Sequence, residues 1–123
     1  MQGLDLANNI SEIILEKKGY EIKILDLNGI SSFADYFVIC SADSDVQVKA
    51  IADEIIRKMK KNGVRPYNQE GTTTNNWILI DYVDVVVHVF KHETREHYSL
   101  ERLWGDANII DVKDELDDEN KEE

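Results

Sequence analysis

Three groups of residues in this 123-residue chain have types and spacings that invite chemistry, and each has a plainer explanation. His92, Glu93 and His97 resemble the zinc-binding helix of a metalloprotease, but the two histidines are five residues apart. On a helix that spacing separates them by about 140°, whereas zinc-binding histidines four apart share a face. Solvent-facing helix residues are the better reading, and no metal site is expected. Asp81 and Asp84 are a carboxylate pair of the kind that serves acid–base work or holds Mg²⁺. They flank a tight turn, however, where aspartate is common because it bonds the local backbone. A turn role, or one as exposed charges for a basic partner, is favoured. Cys40 stands alone inside an apolar run, the setting of a buried, inert thiol. A lone cysteine also excludes an internal disulfide and a cysteine zinc site. With no Ser-His-Asp order and no phosphate-cradling glycine loop, no catalytic residue and no cofactor is expected.

Two further residues suit recognition. His88 interrupts a valine run and shares a strand face with Val86 and Phe90 by alternation. A satisfied, partly buried histidine and a binding-surface histidine both remain open. Trp77 opens a strand beside a polar loop, so it is either a core residue or an indole anchor for a partner.

The elements that position these residues follow from periodicity. Residues 4–18 predict a helix, with Leu6, Ile10, Ile13 and Ile14 at helical spacing and Gly19 as the stop. Residues 21–27 predict a strand ended by Asn28-Gly29. Residues 35–41 predict a second, covered on both faces, because Tyr36 to Cys40 are all apolar or aromatic. Residues 44–62 are the clearest helix. Ser44 and Gln47 form a capping-box pattern, and Val48, Ile51, Ala52, Ile55, Ile56 and Met59 form one stripe. The basic cluster Arg57, Lys58, Lys60 and Lys61 suits the negative end of the helix dipole and needs no nucleic-acid partner. Residues 65–69 predict a strand with Pro66 near its start or on an edge. Residues 77–81 and 84–90 predict an antiparallel hairpin, in which Val83 is a poor residue for the positive φ of a tight turn. Residues 93–103 predict a short helix packed through Tyr98, Leu100 and Leu103. The expected fold is α/β (α+β): a mixed five-stranded sheet with packed helices.

The charge narrows the partners. The chain carries a formal −11, and residues 111–123 alone hold eight acids and two lysines. So acidic a chain grips a phosphate backbone poorly, and a basic protein surface is its natural contact. Hydrophobic residues make up 42%, enough for one packed core. No stretch approaches a membrane span, and the first twelve residues do not read as a targeting segment. One domain over residues 1–110, an acidic and disordered tail over 111–123, and a cytoplasmic location are expected.

The run Ser32-Phe33-Ala34-Asp35-Tyr36-Phe37-Val38-Ile39 resembles the first signature of the ribosomal silencing factor family, also called Iojap-related. Ser44, Gln47 and Ala50-Ile51-Ala52-Asp53 match the next segment of that family's pattern. So do Glu70-Gly71, Trp77, Asp81, the DVVVHVF run of residues 84–90, Arg95, Tyr98 and the LERLW run of residues 100–104 at their later positions. The likeness spans residues 4–110. Val83 stands where the family commonly has glycine, and Asn76 where it has a small residue. The resemblance implies a non-enzymatic adaptor with a nucleotidyltransferase-like fold. It implies docking on ribosomal protein fourteen of the large subunit, which blocks joining to the small subunit, with a role in large-subunit maturation. The catalytic pattern of nucleotidyltransferases is absent: Gly29-Ile30-Ser31-Ser32 is out of pattern, and Asp35 has Phe37 two residues on. For the contact surface we expect the rim Glu70, Trp77, Leu79, Asp81, Tyr82 and His88, with little direct nucleic-acid binding. When free, the same surface can pair two copies of the chain.

Overall fold

The computed structural model describes residues 1–99, 102, 105 and 107–113. Its elements run α1 (Gly3–Glu16), β1 (Tyr20–Asp26), β2 (Tyr36–Ala42), α2 (Asp45–Lys61), β3 (Asn68–Glu70), β4 (Trp77–Asp81), β5 (Val85–Lys91), α3 (His92–Tyr98) and β6 (Asn108–Val112). The strands form one mixed sheet in the order β3-β4-β5-β2-β1-β6. Among the described strands only β2 and β5 pair in parallel, joined by the crossover that contains α2.

The sheet has six strands rather than the expected five. The additional strand, β6, pairs antiparallel with β1 from Ile22↔Val112 to Asp26↔Asn108. Asp111 and Val112, assigned to the acidic tail by sequence, thus belong to the sheet. The tail beyond Lys113 lies outside the described residues, as do Leu100, Leu103 and Trp104. The helix predicted over 93–103 is described from His92 to Tyr98, where Ser99 turns left-handed at φ 47°.

Helices α1 and α2 cover one sheet face. Leu6, Ile10, Ile14, Val48, Ile51, Ile55 and Met59 are buried there against Ile22, Ile24, Val38, Cys40, Ile78, Ile80, Val87 and Val89. These are the apolar stripes legible in the sequence, so burial selects the helix orientation. Ser44 Oγ accepts from the Gln47 N–H at 3.1 Å, and Gln47 Oε1 accepts from the Asp43 N–H at 2.8 Å. Helix α1 has no cap of its own. The Asp84 carboxylate accepts from its first N–H, on Gly3, at 2.6 Å, fixing the helix to the β4–β5 turn.

That turn is a two-residue loop, Val83-Asp84, with a tighter bond inside it. The Tyr82 N–H donates to the Val85 carbonyl at 2.9 Å, and the Asp84 N–H to the Tyr82 carbonyl at 3.1 Å. The second bond closes a γ-turn centred on Val83, whose φ is 79°. Positive φ at a β-branched residue is strained.

Candidate partner-binding face

The opposite sheet face carries the residues expected to bind. Alternation along β4 puts Trp77, Leu79 and Asp81 on this face and Ile78 and Ile80 under the helices. Cross-strand pairing sets Leu79 between Glu70 and His88, Trp77 against Phe90, and Asp81 against Val86. Next come Phe37 and Ile39 of β2, opposite Val86 and His88. Leu25, Leu27, Ile39 and Phe90 form a small buried cluster here, with half-buried Phe37 and Trp77 against it.

Trp77 is clamped on three sides. Its ring stacks on Phe90 with centroids 4.8 Å apart and meets Tyr98 at 4.9 Å. Its Nε1–H donates to His88 Nδ1 at 3.1 Å. The indole remains half-buried, at the border of a cleft of about 500 Å³ that Tyr98, His97 and Thr94 also line. Trp77 is therefore both packed and presented. The loop before it depends on Gly71, at φ 85°, where an added Cβ would sit 1.9 Å from the Trp77 carbonyl oxygen.

The structure separates the six expected contact residues. Glu70 is exposed, and Trp77, Leu79 and Asp81 are half-buried on one face. His88 shares that face but is 3% exposed, beneath Trp77 and edge-on to Phe37. It supports the anchor instead of touching a partner. Burial lowers its pKa to about 4, which keeps the imidazole neutral. Because Nδ1 accepts, the proton sits on Nε2, which has no hydrogen-bond partner among the described residues. Tyr82 is the correction. It is buried in the core on the helix side with Ile78 and Ile80, so it is not on the rim. Alternation already groups it with Ile80 and not with Asp81.

The residue that sequence reasoning left without a role is Arg95. It is 6% exposed and reaches from α3 to the sheet, donating to the Glu21 carbonyl and, at 2.9 Å, to Ser41 Oγ. The β1–β2 register slips between Tyr20 and Lys23, a bulge that leaves Glu21 at φ 50°. Arg95 thereby locks α3, and with it Tyr98, beside Trp77. A basic residue in a short amphipathic helix gives no local sign of this burial.

The other chemical candidates take their plainer readings. Asp81 Oδ1 accepts from the Val83 N–H at 2.7 Å, and Asp84 Oδ2 holds Gly3, so both carboxylates serve the turn. Cys40 is fully buried, and burial pushes its thiol pKa up to about 12. His92 faces Glu96 at 3.2 Å, while His97 packs on Tyr98. Among the described residues no three His, Cys, Asp or Glu side chains are grouped to hold a metal ion. No described helix is long and apolar enough to cross a membrane.

Residues 2–123 match the family model described as ribosomal silencing factor during starvation. The chain belongs to the ribosomal silencing factor family. It is 47% identical over 97 residues to ribosomal silencing factor RsfS of Bacillus subtilis (strain 168), spanning 79% of this chain and 82% of that protein. It is 30% identical over 95 residues to mitochondrial assembly of ribosomal large subunit protein 1 of Mus musculus, spanning 75% of this chain and 42% of that one. A crystal structure of a Chromobacterium violaceum protein superposes with a TM-score of 0.82 at 34% identity, covering 85% of this chain and 88% of that chain. The mixed α+β fold is thus shared with that solved structure.

Proposed function

We propose that the chain binds the large ribosomal subunit through ribosomal protein fourteen and sterically blocks joining to the small subunit, lowering translation. The observation that carries this reading is the clamped, half-buried Trp77 on the sheet face that α1 and α2 leave uncovered. An indole held rigid by Phe90 and Tyr98 loses little entropy on docking, as a hot spot requires. Glu70 and Asp81 at the same sheet face, on a chain of −11, complement a basic ribosomal protein and speed its approach. The mouse relative's name, large-subunit assembly, supports a further role in maturation of the same subunit. Such a protein works in the cytoplasm and acts by occupancy, without catalysis.

Sedimentation with purified subunits tests the reading. The protein should travel with large subunits and not small ones, and should lower the yield of joined ribosomes in a reassociation assay. Absence from the large-subunit fraction refutes it. Trp77→Ala should weaken binding by at least about 2 kcal/mol, the usual hot-spot threshold. If that variant melts far below the parent while its folded fraction binds normally, Trp77 is structural and the face is wrongly assigned. Calorimetry with Mg-ATP and Mg-CTP should give no heat, and saturable micromolar binding would overturn the non-enzymatic reading. Light scattering, with and without the ribosomal protein, tests whether free chains pair.

A further inference from the structure

The end of the sheet remote from Trp77 is unexpectedly apolar. The β1–β2 loop, the β4–β5 turn, the start of β3 and the first turn of α1 all converge there. The Asp35 N–H donates to the Asp84 carbonyl at 2.8 Å, the Tyr67 N–H to the Asp81 carbonyl at 2.7 Å, and the Gly3 N–H to the Asp84 carboxylate. Six of the ten exposed large hydrophobic residues among those described sit at this end, and Phe33 and Tyr67 are 86% and 80% exposed. Single exposed apolar residues are ordinary, but a concentration of them marks a contact surface. Two of the six, Met1 and Val83, line a cleft of about 600 Å³. Met1, Leu6, Val64 and Val83 form its apolar wall; Asp35 and Asp84 are its acidic side chains and the Met1 α-ammonium its one cationic group, which leaves the lining net acidic.

We propose that this end is a second docking surface, for a protein segment that presents a lysine or arginine beside an apolar side chain. The cation would sit against the exposed Asp35 carboxylate, with its apolar neighbour against Phe33 and Val83. Charge complementarity selects this occupant. A membrane would set the carboxylates against anionic headgroups, and a two-fold copy would set this net acidic patch against the same patch. The surface is separate from the Trp77 face. Only the ribosomal arm of its test rests on large-subunit binding.

Two experiments on the full chain decide it. A ¹⁵N-labelled sample is titrated with N-acetyl-Leu-Arg-amide and with its Leu-Glu counterpart. Saturable shifts should appear around Gly3, Asp35, Val64 and Val83 with the arginine peptide alone, and Asp35→Asn should abolish them while leaving the rest of the spectrum unchanged. No shifts, or equal shifts from both peptides, overturn the proposal. In the second experiment a photoreactive benzoylphenylalanine replaces Phe33, and the protein is illuminated on purified large subunits. An adduct to a ribosomal protein supports the surface. Adducts to RNA or to a second copy, or none from protein that sediments, refute it. Protein that does not sediment at all refutes the large-subunit reading instead, and the peptide titration then decides this surface.

Discussion

Val83→Gly should stabilise the fold, although it deletes an apolar side chain. Val83 is the central residue of the γ-turn at φ 79°. Non-glycine residues in such regions cost about 1–3 kcal/mol. Glycine removes that cost and brings two smaller ones. Its freer unfolded chain loses about 0.4–1 kcal/mol. The side chain is 63% exposed, so about a third of a buried valine's 1.5–3 kcal/mol is forfeited, roughly 0.5–1 kcal/mol. At the midpoints of these ranges the net gain is about 0.5 kcal/mol, or a Tm rise of roughly 2 °C for a domain of this size. Urea unfolding with an unchanged m value measures it. Val83→Ala is the control. At ordinary φ alanine is the more stable of the two residues, whereas at positive φ glycine should win by about 1 kcal/mol. If Val83→Ala equals or exceeds Val83→Gly in stability, the turn is not strained and the reasoning fails.

Arg95→Ala should cost about 2–4 kcal/mol, since it strips a buried charged donor from the Glu21 carbonyl and Ser41, and it should weaken large-subunit binding in the remaining folded protein. Chemical denaturation and sedimentation measure the two effects. Burial depresses the His88 pKa to about 4, against about 6.5 when unfolded, so the unfolded chain binds the extra proton first as pH falls. Stability should therefore decline from pH 6.5 toward pH 4 by on the order of 3 kcal/mol, with His88→Phe removing this part of the acid profile. Gly71→Ala should cost about 2 kcal/mol or more, because its Cβ would meet the Trp77 carbonyl at 1.9 Å and its φ is 85°. Thermal melts check the loss, and partner binding should fall with it because the Trp77 backbone must move.

Elements set by local pattern are legible in the sequence. Helix α2, predicted over residues 44–62, spans Asp45–Lys61, because a cap, a stripe and a stop all lie within one stretch. Elements set by distant partners are not. Strand β6 reads Asn-Ile-Ile-Asp-Val, with two poor strand formers, and it forms because β1 offers a free edge more than 80 residues away. The proposed binding face is half legible. Alternation groups Trp77, Leu79 and Asp81 correctly, but both faces of β4 and β5 are apolar, so alternation alone does not say which face the helices cover. The burial of Arg95 depends on α3 packing back over the sheet, and that of His88 on Trp77 and Phe37 closing over it, both non-local.

The proposed steric block makes a demand that a single anchor does not meet. A lone indole seated in a pocket leaves the protein free to pivot, and a pivoting body obstructs a neighbouring surface poorly. Trp77 and the β4–β5 turn lie at opposite ends of β4, roughly 14 Å apart at the usual strand rise. Contacts at both ends would fix orientation as well as position. Val83 sits at the second of these ends, strained and largely exposed, where glycine would relieve the turn. Strain that persists in a surface turn without serving the core is what a contact residue retains at the expense of stability. The two properties therefore separate at one position. Val83→Gly should raise the melting temperature and yet weaken the response to the arginine peptide, whereas a turn with no partner would gain the stability and lose nothing.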